Sequence, residues 1–231
     1  MGMTKFPFRI VGFDLDGTLL DTGDDLGVAL NHVLAGLGRE PVPLSEVRSL
    51  IGGGARMLLE RGLARTGGML PPEQMRPLHG ELIAFYRENI ATHTRPYPGL
   101  EPMLDDLAGR GVQLGVVTNK MEALAVPLLE AMGLAERFAT IIGGDTLGPG
   151  RSKPAPDLLL EMTRRLGGGP VAYVGDTTYD TRAASAAGMP CVAVSFGFND
   201  EPVESYGADA VIDHFDELVP VLQALAGVEV G

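Results

Sequence analysis

The stretch Arg9-Ile10-Val11-Gly12-Phe13-Asp14-Leu15-Asp16-Gly17-Thr18-Leu19-Leu20-Asp21-Thr22 decides the fold: an apolar run stops abruptly at two carboxylates, a glycine and a hydroxyl. A short apolar run bounded by turn-forming polar residues fits a buried strand, and carboxylates at its carboxyl end stand where open α/β sheets bind their ligands. At strand period Asp14 and Asp16 project to one side and Leu15 to the other. Two such carboxylates repel, so the pair calls for a divalent hard cation, for strong donors between them, or for one raised pKa. Gly17 lets the backbone approach a ligand, and Thr18 offers that ligand a hydroxyl and an N–H. Asp16-Gly17 alone is a common turn dipeptide, whereas the whole string is far more specific.

The 231 residues suit one large domain, or a core with a smaller insert, and either buries a sizeable apolar interior. With 18 Lys plus Arg against 30 Asp plus Glu, the net charge of −12 argues against a nucleic-acid or anionic-membrane surface and agrees with solubility. The single Cys191 stands in the apolar run Pro190-Cys191-Val192-Ala193-Val194, which suits a small buried side chain rather than a nucleophile. No apolar run is long enough to span a bilayer and no charged-then-apolar leader is present, so the expected location is cytoplasmic. The four histidines are scattered rather than spaced for a metal, and none is assigned a catalytic part.

Beyond Thr22 the apolar period lengthens to that of a helix, with Leu26, Leu30, Val33, Leu34 and Leu37 on one stripe that Gly38 and Pro41 end. A short helix capped by Ser45 reaches Leu50, Gly52-Gly53-Gly54 breaks it, Ala55 to Ala64 resumes, and Pro71-Pro72 open a further helix toward Ile90. Residues 23–93 are thus expected to form a small helical cap domain, inserted into an α/β core made of residues 1–22 and 94–231. From Val112 apolar runs alternate with amphipathic segments: strands at 112–118, 138–143, 171–175, 191–195 and 209–212, and helices at 122–132, 155–166, 180–187 and 215–225. The expected fold is α/β, a Rossmann-like parallel sheet with helices on both faces.

Ligands of such a sheet bind beyond the carboxyl ends of its strands, so residues ending the other strands should join Asp14 and Asp16. The strand before Thr118-Asn119-Lys120 supplies a hydroxyl and backbone N–H groups suited to phosphate oxygens. Lys153-Pro154-Ala155-Pro156 places a cation ahead of a proline-started helix. Tyr173-Val174-Gly175-Asp176-Thr177-Thr178-Tyr179-Asp180 ends another strand in acids, which would complete a hard-cation site, although Asp180 alone also suits a helix cap.

In type and order these four elements resemble the four motifs of the haloacid dehalogenase superfamily, most of whose members are magnesium-dependent phosphohydrolases with an aspartate nucleophile. The resemblance implies that Asp14 forms an aspartyl-phosphate and that Asp16 is the general acid and base, giving Mg2+ its backbone carbonyl as well. It implies that Thr118 and Lys153 grip the phosphoryl oxygens, with Gly17, Thr18 and Asn119 also touching substrate. Asp14, Asp16 and Asp176 then hold the metal, and Asp180 supports the site from behind. Dehalogenases of the superfamily lack the second aspartate, so Asp16 argues for phosphoryl transfer.

The insert resembles the small cap that some members carry, and Ile51 to Leu63 with Pro96-Tyr97-Pro98-Gly99 look most like bacterial phosphoglycolate phosphatases. The expected partner is a small phosphorylated metabolite, 2-phosphoglycolate first, with a sugar phosphate, pyrophosphate or a β-phosphoglucomutase-like reaction as alternatives; the chain would act as a monomer or homodimer. Arg56, just after three glycines, is a candidate for the substrate carboxylate, with Lys120 its rival. A signalling receiver module also gathers aspartates, a Thr and a Lys at strand ends. The Asp-x-Asp-Gly-Thr string, an insert of about 70 residues and carboxylates ending a strand after the lysine all count against it.

Overall fold

The computed structural model describes residues 6–225. Its chain starts with β1 (Ile10–Phe13) and the two-residue β2 (Leu20–Asp21), then passes through four helices, α1 (Gly23–Gly36), α2 (Leu44–Val47), α3 (Ala55–Arg65) and α4 (Pro72–Glu88). It returns through β3 (Arg95–Pro96) to α5 (Leu100–Gly109), β4 (Gln113–Val117), α6 (Glu122–Ala131), β5 (Thr140–Ile142), α7 (Asp157–Arg165) and β6 (Val171–Gly175). The last part is α8 (Thr178–Ala186), β7 (Cys191–Val194), β8 (Ala210–Ile212) and α9 (Leu218–Leu225).

Six strands pair in the order β5-β4-β1-β6-β7-β8, all of them parallel. β1 lies between β4 and β6, so the strand order reverses beside it and opens a crevice at its carboxyl end. Alternation along the buried strands divides the interior. Val11 and Phe13 join residues of α5, α6 and α9 in one apolar cluster, while Ile10 joins Leu158, Met162 and Ala183 from α7 and α8 in another. Gly12 and Gly115 let α7 close on the second face, since a Cβ at either would lie 2.6 Å or 2.7 Å from atoms of Met162.

Helices α1 to α4 bury an apolar cluster of their own, built from Leu26, Leu30, Val33, Leu34, Leu59, Leu82 and their neighbours, with Leu124 and Phe198 of the sheet-bearing part reaching into it. The stripe expected on the first helix is buried from Leu26 to Leu34, but Leu37 falls on the residue after α1 and is exposed. The two crossings of the chain are tied by the antiparallel pair β2–β3, Leu20 opposite Pro96 and Asp21 opposite Arg95. Beside it the buried Asp25 of α1 accepts hydrogen bonds from the N–H groups of His93 and Thr94 and from the Thr94 hydroxyl, at 2.8–3.0 Å.

Four local features depart from expectation. The short helix α2 starts at Leu44, so Pro43 and not Ser45 stands at its N-cap. α5 was not expected, although Leu100, Met103, Leu104 and Leu107 form a buried stripe; Pro102 obscures it, yet a proline in the first turn costs a helix nothing that its free N–H groups had not already lost. The helix expected from 180 begins at Thr178, and that expected from 215 begins as a 3₁₀ turn, Phe215–Glu217, before α9. No described helix is long and apolar enough to cross a membrane.

Candidate active site

Beyond the carboxyl ends of β1 and β6 the backbone turns three carboxylates toward one point. Ligand atoms of Asp14, Asp176 and Asp180 all lie within 4.8 Å of one another, and the three residues are buried. Each is held differently. Asp14 follows β1, its N–H bonded to the Val174 carbonyl at 2.9 Å. Asp176 accepts from the Thr18 hydroxyl at 2.9 Å and from the Phe198 N–H at 2.8 Å. Asp180 accepts from the Thr177 N–H and hydroxyl at 3.0 and 2.6 Å, which ties it to the N-cap of α8.

Lys153 faces all of this from the loop before α7, its ammonium 2.6 Å from Asp180 Oδ1, 2.9 Å from Asp14 Oδ1, 2.9 Å from the Tyr173 hydroxyl and 3.1 Å from the Val117 carbonyl. The contact with Asp14 is an ion pair whose angles are poor for a hydrogen bond. Burial pushes the Asp14 carboxyl up to about 6; Lys153 pulls the other way, Asp180 adds to the rise, and the lysine's shorter contact is with Asp180. Asp176 is likewise raised, first by burial and then by Asp180 and Asp14. Burial opposes charge on Lys153, but Asp14 and Asp180 prevail and raise its pKa. Three buried carboxylates facing one lysine leave an excess of negative charge. Their oxygens retain free lone pairs, so the donor set fits a hard divalent cation.

Gly17 makes this close packing possible. Its φ is +86°, and a Cβ there would stand 2.0 Å from Asp176 Oδ2.

Asp16 lies apart from the acid cluster. Strand β1 ends at Phe13, and the chain turns so that the Leu19 and Leu20 N–H groups bond back to the Leu15 carbonyl. The Asp16 carboxylate accepts from the Thr22 hydroxyl at 2.6 Å and meets Lys120 Nζ at 2.9 Å. Sequence reasoning put the two carboxylates on one face and called for a divalent cation, strong donors or one raised pKa; both line one cavity, each beside its own buried lysine, and Asp14 is the raised one. Thr118, ending β4, accepts from the Lys120 N–H at 3.2 Å, so its hydroxyl proton is free for a phosphoryl oxygen. Asn119 donates from Nδ2 to the carbonyls of Gly52 and Lys153 at 3.2 and 3.1 Å, joining the insert to the core.

Between these residues and the insert lies a cavity of about 30 Å3, room for a water or two, with Asp14, Asp16, Thr118 and Lys120 on one side and Leu58 and Tyr86 of the insert opposite. Gly54 admits the insert to this distance, since a Cβ there would lie 3.1 Å from the Asn119 carbonyl oxygen. Arg56 is not in the cavity. Ala55 lines it, and one residue further along α3 the side chain has rotated about 100° to solvent, where Arg56 is 79% exposed and pairs with Glu60 at 2.9 Å. Arg56 thus stands outside the cavity, where the sequence had placed it against the substrate. Tyr86, which lines the cavity, was not singled out in the sequence because a tyrosine one turn beyond Leu82 and Ile83 looks like core.

The family model for haloacid dehalogenase-like hydrolases matches residues 11–194, which include the acid cluster, Asp16, Thr118 and Lys153. The chain belongs to that family. As a haloacid dehalogenase-like hydrolase it is 42% identical over 223 residues to a phosphoglycolate phosphatase of Agrobacterium fabrum, covering 95% of each chain. It is also 42% identical over 207 residues to one of Caulobacter vibrioides, covering 89% of this chain and 86% of the relative. Among solved structures it resembles a predicted phosphoglycolate phosphatase from Haemophilus somnus, with a TM-score of 0.87 and 30% identity over 96% of this chain and all of that one. This hydrolase is thus of the phosphatase kind within its family, a phosphoric monoester hydrolase.

Proposed function

We propose that this enzyme hydrolyses a small phosphate monoester, 2-phosphoglycolate to glycolate and phosphate, through an aspartyl-phosphate on Asp14. The observation that carries the reading is the buried Asp14 carboxylate, paired with Lys153 at 2.9 Å and lining the cavity. Asp14 attacks phosphorus as the bond to the leaving oxygen breaks, and Asp16 gives that oxygen its proton. Asp16 then takes a proton from the water that attacks the acyl phosphate, so that phosphate leaves and Asp14 is restored. The Thr118 hydroxyl and the Lys153 ammonium hold phosphoryl oxygens, with Gly17, Thr18 and Asn119 shaping the same loop surface.

Mg2+ would be held by the Asp14 and Asp176 carboxylates and the Asp16 backbone carbonyl, with Asp180 supporting Lys153 and the start of α8. Bound there, it would screen the phosphate dianion from the carboxylates and stabilise negative charge as it develops. Residues 23–93 serve as a cap on the core formed by 1–22 and 94–231, and shut water out around the leaving group.

The test is phosphate release from a panel of small monoesters, with and without exhaustive chelation. Mg2+-dependent turnover with 2-phosphoglycolate preferred is expected. Full activity after chelation would remove the metal from the scheme, and preference for a sugar phosphate would reassign the substrate.

A further inference from the structure

Tyr86 is buried to 1% exposure in α4, and its hydroxyl has no hydrogen-bond partner. A buried phenol ordinarily finds an acceptor. Tyr86 instead lines the cavity between insert and core, with the Lys120 ammonium beside its ring. The Lys120 ammonium lies 4.5 Å from the centroid of the Tyr86 ring and 2.9 Å from Asp16 Oδ2. Leu58, Leu82 and Ile83 supply an apolar wall around them.

The wall of the cavity therefore holds two neighbouring donors, a hydroxyl from the insert and an ammonium from the core. A ligand that completes it must bring acceptors, and a carboxylate brings two. Its charge would be met by the Lys120 ammonium, and the Tyr86 O–H, which donates to no acceptor, would supply the second bond.

We propose that Tyr86 and Lys120 together bind the carboxylate of the leaving group, making Tyr86 a specificity-determining residue supplied by the insert. This rests on hydrolysis of a carboxylate-bearing monoester as proposed above. Because the donors come from both sides of the seam, a bound carboxylate also fastens insert to core. A neutral leaving group of the same size satisfies neither charge nor geometry.

The test compares kcat/KM for 2-phosphoglycolate with that for its neutral isostere, 2-phosphoglycolamide, in the wild type and in Tyr86→Phe, which removes one oxygen. The wild type should favour the acid at least tenfold. Tyr86→Phe should shrink that acid-to-amide ratio by roughly 10- to 150-fold, the range of a hydrogen bond to a charged group. A merely structural tyrosine would lower both substrates together and leave the ratio where it was, which overturns the proposal. Should the variant fail to fold, the wild-type ratio decides, and a value near one overturns it equally. A wild type that cleaves both esters without preference thus rejects the recognition site alone. One that releases phosphate from neither rejects the proposed reaction, and the recognition site with it.

Discussion

Lys120 Nζ and Asp16 Oδ2 meet at 2.9 Å, both side chains nearly withdrawn from water, and the pair joins the ends of two neighbouring strands, β1 and β4. It places the general acid and base of the proposed reaction under the control of a residue that also faces the leaving-group cavity. The second aspartate of the opening string is thereby separated from the first in charge as well as in space, since Asp14 looks to Lys153.

Breaking such a pair from one side leaves an uncompensated buried charge, which costs about 3–5 kcal/mol. Lys120→Met should therefore lower the unfolding free energy in urea by that order, with an unchanged m-value. A loss under about 1 kcal/mol would mean that Asp16 finds water or another donor when the lysine is gone.

Asp14→Asn keeps the shape of the side chain and removes the nucleophilic oxygen. The variant should fold and lose several powers of ten in kcat, as enzymes do when a covalent nucleophile is removed. Trapping 32P-phosphate on the acid-quenched wild type but not on this variant would place the covalent bond. Residual turnover above a few per cent would assign the attack to another group.

Four of the five tyrosines are shifted upward: Tyr86 and Tyr206 to about 12, Tyr97 and Tyr173 further, burial being the leading cause in each. A phenol whose folded pKa exceeds its unfolded value of about 10 contributes stability that is fully present below pH 10 and lost as pH climbs through the folded value. Absorbance at 295 nm should thus show no more than about two tyrosinates per chain in the folded protein at pH 11. The rest should appear together with unfolding, and smooth titration of all five while far-UV circular dichroism stays constant would contradict their burial.

The parallel sheet and the strand-end chemistry were legible because both are written in short local patterns. Apolar runs that stop at Asp14, Thr118 and Asp176 give the strand, its direction and the crevice together. What escaped was set by long-range packing. Asp16 shares the cavity with Asp14 but meets Lys120, because the chain leaves β1 after Phe13, and a period of two cannot foresee that partner. β2 and β3 are two residues each, too short to carry any period, and Tyr86 has the apolar spacing of an ordinary core position. Arg56 failed for a simpler reason: the glycines before it do approach the core, but a helix starts at Ala55 and its first turn decides which side chain points inward.

Arg56 is 79% exposed and makes one i,i+4 pair with Glu60, worth about 0.3–0.5 kcal/mol at most in water and less in salt. Ala55, its neighbour, is the residue that lines the cavity. Arg56→Ala should accordingly leave unfolding free energy within about 0.5 kcal/mol of wild type, since alanine also has the better helix propensity. Its kcat/KM for 2-phosphoglycolate should stay within about twofold, because no charge-assisted bond to the substrate is lost. A selective tenfold fall on the carboxylate-bearing ester would show that α3 rotates or shifts in the complex to bring the guanidinium inward, and would shift carboxylate recognition from Lys120 and Tyr86 to the start of that helix.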